Sequence, residues 1–137
     1  MRDIIKKEGD YKEWSYQTRN GVEYRLVIRR NSSFGFLCGY IEVTKDNKLF
    51  GEEYMNIDID VHGGLTYGSK KSDDVFVYGF DCGHFGDMIF NELGIQKRGN
   101  IYRDMNYVTS ECEKLAEQFS EWSLSVERNK KIDSLFY

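Results

Sequence analysis

The segment Asp104-Met105-Asn106-Tyr107-Val108-Thr109-Ser110-Glu111-Cys112-Glu113-Lys114-Leu115-Ala116-Glu117-Gln118-Phe119-Ser120-Glu121-Trp122 reads as one amphipathic helix. Met105, Val108, Cys112, Leu115, Phe119 and Trp122 recur at helical spacing, while Glu111, Glu113, Lys114 and Glu117 fall on other faces. Asp104 stands where an N-cap belongs. The pattern predicts a helix from 104 to about 122, continuing towards 128, with Val108, Cys112, Leu115 and Phe119 against a core.

What precedes this helix reads as strands. Residues 14–18 and 22–30 flank Arg19-Asn20-Gly21, and Asn-Gly between such runs is a strong hairpin signal. Val22, Tyr24, Leu26 and Ile28 alternate with more polar neighbours, as in a half-buried strand. Further strands are predicted at 36–44, 56–62 and 75–81. A strand beginning at 65–67, a polar loop over 68–74, a short helix over 87–93 and a basic loop over 96–100 complete the reading. Strands followed by one helix define an α+β fold: an antiparallel or mixed sheet of about five to six strands packed on one long C-terminal helix. Residues 1–12 are charged and expected to be loosely held, leaving 13–137 as a single domain.

Composition narrows the function. The chain has 137 residues and a formal charge of −4, without the basic surplus that phosphate-backbone binding requires, so no nucleic acid is expected as partner. Ten Tyr, nine Phe and two Trp make it rich in rings that combine an apolar body with, in Tyr and Trp, a polar tip. Cys38, Cys82 and Cys112 are widely spaced and form no CxxC, which fits free thiols in a reducing cytoplasm. No signal peptide or membrane span is read, and no cofactor is expected.

The polar chemistry concentrates in two segments. In Asn56-Ile57-Asp58-Ile59-Asp60-Val61-His62-Gly63-Gly64, strand alternation puts Asp58, Asp60 and His62 on one side and Ile57, Ile59 and Val61 on the other. In Gly79-Phe80-Asp81-Cys82-Gly83-His84-Phe85-Gly86-Asp87, glycines bracket the second of only two histidines. Metal binding, polar-ligand binding and a plain solvated face all fit this much. Cys82 reads as a small buried residue rather than a nucleophile. Arg103, just before the long helix, sits where phosphates bind well. Tyr67, Tyr78, Phe80, Phe85 and Tyr102 surround the polar residues in sequence, and rings beside carboxylates suit a nucleoside. The candidate ligand-binding set is Asp58, Asp60, His62, Gly63, Gly64, Asp81, His84, Asp87 and Arg103, with Asp60, His62 and His84 expected in one pocket.

The pattern Asp58-x-Asp60-Val61-His62-Gly63-Gly64-Leu65-Thr66, then Gly79-Phe80-Asp81-Cys82-x-His84-x-Gly86-Asp87, then Tyr102-Arg103-x-x-x-Tyr107-Val108-x-x-Glu111-Cys112-x-x-Leu115-Ala116-x-Gln118, resembles a group of small proteins encoded by bacteriophages and prophages. The likeness runs from about Gly39 to Phe119. Small accessory phage proteins often counter host defence, some as sponges for nucleotide-derived immune signals such as cyclic ADP-ribose isomers. The resemblance implies a non-enzymatic anti-defence protein of the host cytoplasm that sequesters a nucleotide-like ligand. The alternatives are a metal-dependent hydrolase or phosphodiesterase built on the same Asp/His cluster, and an inhibitor that binds a host defence protein. The aromatic C-terminus and Trp122 point to a homodimer.

Overall fold

A computed structural model describes residues 2–90 and 101–136, and the side chains of 5–90 and 101–123. α1 (Arg2–Glu8) leads into β1 (Tyr11–Gln17), β2 (Glu23–Arg30), β3 (Leu37–Thr44), β4 (Tyr67–Lys70) and β5 (Val75–Asp81), and α2 (Met105–Phe136) follows. The strands form one five-stranded antiparallel sheet in the order β1-β2-β3-β5-β4. This is the α+β arrangement read from the sequence. None of the described helices is long and apolar enough to cross a membrane.

α2 lies across one face of the sheet, and its sequence shows why. Val108, Cys112, Leu115, Ala116 and Phe119 are fully buried against Leu26, Ile28, Ile41, Tyr78 and Phe80. Burying each large apolar side chain contributes roughly 1.5–3 kcal/mol. Asp104 caps the helix, its Oδ1 accepting from the Tyr107 amide at 2.8 Å. Polar flanks on either side of the apolar stripe then grip other parts of the chain. On one flank, Thr109, Glu113 and Glu117 accept from Lys12, Trp14 and Tyr16 of β1. On the other, Glu111, Gln118 and Trp122 hold residues 58–62.

That second grip corrects the strand expected at 56–62. Ile57, Ile59 and Val61 are buried and Asp58 and Asp60 exposed, so the predicted alternation holds. No sheet ladder pairs the segment. The backbone of Asp60 bonds instead to the Gln118 amide, N–H to Oε1 and C=O to Nε2, both at 2.8 Å. The His62 amide donates to Glu111 Oε1 at 2.9 Å, and Trp122 Nε1 donates to the Asp58 carbonyl at 3.1 Å. Side chains of α2 thus meet the backbone hydrogen-bonding demand that a neighbouring strand would otherwise meet.

Other boundaries shift for local reasons. The expected loop at 68–74 begins as β4, because β5 offers it a pairing edge. Residues 87–90 are not helical: Asp87 forms a parallel bridge with Ile101. Readings that fall on 91–100, and on the side chains of 135–137, lie outside the described residues. The boundary drawn at residue 13 falls inside β1, and the N-terminal segment is tied to the core through Glu8 and Asp10. Trp122 packs partly buried against the core and donates its N–H to the Asp58 carbonyl.

Candidate functional site

Asp87 organises the site. It follows a turn in which Gly83 fits tightly, since a side chain there would press into the Phe36 ring. Its carboxylate is 2% exposed. Oδ2 accepts from His62 Nε2 at 2.7 Å and from the His84 amide at 3.1 Å, and Oδ1 accepts from Arg103 Nε at 3.0 Å. Burial pushes the Asp87 carboxyl up, but the hydrogen bonds from His62 and Arg103 outweigh it and hold it below the usual carboxylate range.

His62 is fixed at both ring nitrogens. Asp87 can only accept, so Nε2 carries a proton. In the neutral ring, Nδ1 then accepts from the Tyr107 hydroxyl at 2.8 Å. The Tyr107 ring also carries the Arg103 guanidinium over its face, 4.9 Å from the centroid. The result is a chain Asp87–His62–Tyr107 with Arg103 bracing both ends.

His84 lies beside this chain, its ring centroid 6.0 Å from that of His62. It packs flat against Gly63, whose φ of +68° and missing side chain are both needed, because any Cβ there would collide with the imidazole. Asp81 Oδ1 lies 3.4 Å from His84 Nε2, near enough for attraction but out of line for a hydrogen bond, and that nitrogen is buried without one. Asp81 itself accepts from Thr66 and from the Gly83 amide. Phe85, at the tip of the same turn, is 98% exposed.

The structure therefore joins His62, Gly63, Asp81, His84, Asp87 and Arg103 in one cluster and leaves Asp58 and Asp60 out of it. Gly64 has φ of +74° and completes the turn after His62. The Asp60 side chain is 89% exposed and meets Lys114 at 3.4 Å along the flank of α2. Asp58 also faces solvent. Tyr107 is the member that sequence reasoning missed as a site residue. Its signal was its place four residues after Arg103, at the first turn of the helix.

Burial drives the thiols of all three cysteines upward, that of Cys38 to about 11, that of Cys112 to about 12 and that of Cys82 further still. Buried, protonated thiols are poor nucleophiles. Among the described residues no three His, Cys, Asp or Glu side chains converge as a metal site requires. A surface hollow of about 460 Å³ between Arg25, Glu42, Asp46 and Ser123 touches none of the candidate residues. The charged cluster therefore carries the functional argument. Comparison with protein-family models, with characterised proteins and with solved structures gives no match.

Proposed function

We propose that this protein binds a nucleotide-derived small molecule and sequesters it unchanged, as a phage-encoded anti-defence protein acting in the host cytoplasm. The observation that carries this reading is the posture of Arg103. Buried Asp87 holds its Nε, while Nη1 and Nη2 have no partner among the described residues. That leaves one edge of a planar cationic fork for a phosphate. The His84 amide donates to the same Asp87 carboxylate, and Phe85 offers an uncovered ring for a base. The net charge of −4 favours a small anion over a long polyanion.

Native mass spectrometry of protein purified from infected cells tests the reading. The expected result is a retained nucleotide-derived mass, released chemically intact on denaturation. Arg103→Gln should reduce retention about ten- to a hundredfold, the loss of one charge-assisted hydrogen bond worth ~1.5–3 kcal/mol. Absence of any retained ligand would overturn it.

A hydrolytic reading has one specific observation behind it. The chain Asp87–His62–Tyr107 has the connectivity that activates a hydroxyl nucleophile. Burial and nearby Glu111 push the Tyr107 hydroxyl up, which opposes its ionisation. Recovery of cleaved ligand, lost in Tyr107→Phe, would favour hydrolysis over sequestration.

A further inference from the structure

The face of the sheet opposite α2 carries two unlike bands. One crosses the sheet from β1 to the end of β4 as a lattice of paired charges: Arg25 pairs with Glu13 and Glu42, and Glu42 also takes Lys71 at 2.9 Å. The band beside it, over β3, β5 and β4, is aromatic. Tyr40 on β3 and Tyr67 on β4 both stand opposite Gly79 of β5 in the strand register. A side chain at Gly79 would run into the Tyr40 ring, so the glycine lets that ring lie down on the sheet. Tyr67 meets it edge to face, with centroids 5.8 Å apart and planes at 83°.

Two hollows meet at this pair. One, of about 350 Å³, runs over Val27 and Val77 to Arg29 and Lys71. The other, of about 310 Å³, runs to Asn31, Thr66 and Asp81. Both fall in the range of roughly 300–1,000 Å³ typical of small-ligand sites. Arg29 is exposed, stacks over Tyr11 at 5.0 Å and has no carboxylate partner among the described residues. Lys71, by contrast, is already paired.

We infer that this trough is a subsite for a mononucleotide unit, its base stacked on Tyr40 beside Tyr67 and its phosphate on Arg29. In the strand register Arg29, Cys38 and Asp81 share one cross-strand row beside the Tyr40–Gly79–Tyr67 row, so the ribose lies between base and phosphate, with the Asp81 carboxylate as acceptor and the Asn31 side chain as donor for its hydroxyls. The ligand class rests on the sequestration reading above, while the trough and its residues stand apart from the Asp87 cluster. Asp81 alone belongs to both.

Titration of the ¹⁵N-labelled protein with AMP, followed by NMR up to ~1 mM, tests the inference. Shifts should cluster at Val27, Arg29, Tyr40, Tyr67 and Val77. Tyr67→Ala, which removes a ring beside the base, and Arg29→Gln, which removes a charge-assisted bond to the phosphate, both at exposed positions, should each weaken binding at least fivefold. Ribose 5-phosphate, which lacks the base, should bind more weakly than AMP. No shifts, shifts confined to His84 and Arg103, or unchanged affinity in both variants would overturn the subsite. In the second of those outcomes sequestration at the Asp87 cluster still stands. If AMP fills the trough but protein from infected cells retains no ligand, sequestration falls and the subsite remains.

Discussion

Two buried polar knots flank the start of α2, and they are finished to different degrees. In the first, the Arg30 side chain, 7% exposed, is saturated. Nε donates to Asp10, Nη1 to the Gly35 carbonyl and the Tyr102 hydroxyl, and Nη2 to Glu8 and the Gly9 carbonyl. Glu8 in turn accepts from Tyr102 and from the Met105 amide, so α1, β2 and α2 are tied together. In the second, Asp87 is equally well satisfied, but the groups it holds are not. Arg103 keeps two nitrogens unengaged among the described residues, and His84 Nε2 makes no hydrogen bond. A saturated network fixes the fold. A network saturated only at its anchor holds charged groups ready for something else.

The comparison breaks most visibly at Arg30. Arg30→Met would take the guanidinium away from Glu8, Asp10, Tyr102 and two carbonyls, an expected loss of about 3–5 kcal/mol. Urea unfolding should show this, and ligand retention measured below the transition should be unchanged. A loss under about 1 kcal/mol would mean the first knot is not structural.

Asp87→Asn comes next, at about 1.5–3 kcal/mol. It should also separate the knots by pH. The folded Asp87 carboxyl lies below its ordinary value, so its contribution is present above pH ~4 and is lost as pH falls through the depressed value. In the first knot, burial pushes the Tyr102 hydroxyl up to about 12, so that contribution is present below its ordinary value and lost as pH rises towards 12. Melting curves should show Asp87→Asn flattening the acid limb and Tyr102→Phe flattening the alkaline one. The reverse pairing would refute this division.

The smallest effect is expected at Cys82, whose side chain is buried beside the cluster without being part of it. Cys82→Ala should lower the melting temperature modestly and leave retention intact. A normally folded variant that retains nothing would bring the thiol into the site.

The contrast between the knots also marks what the chain's pattern could convey. The helical spacing of Val108, Cys112, Leu115 and Phe119 exposed the layer architecture, because burial on one face leaves a periodic trace. The alternation at 57–61 was equally genuine, yet it reports only which side is buried and not what the backbone bonds to. A helix flank replaced the absent strand. The convergence of His62 and His84 was expected from two neighbouring strands each ending in a glycine turn, but it is reached by another route, since α2 and not the sheet holds residues 58–62. The exclusion of Asp58 and Asp60 was not, since an exposed carboxylate and a ligand contact look alike on an alternating strand. Nor did anything local announce the bonds of Arg30, which reach from Glu8 to Tyr102 across most of the chain.

The grip of α2 on residues 58–62 makes the helix a ruler. Tyr107, Glu111, Gln118 and Trp122 fall along one edge: the first two fix His62, Gln118 fixes Asp60 and Trp122 fixes Asp58. A residue inserted between Glu111 and Gln118 would rotate everything beyond it by about 100°. The sheet-facing stripe and the segment-facing edge would slip together. Sequence length within these turns is therefore as constrained as residue type, and insertions in descendants of this chain belong beyond Trp122 or in the loops across the sheet.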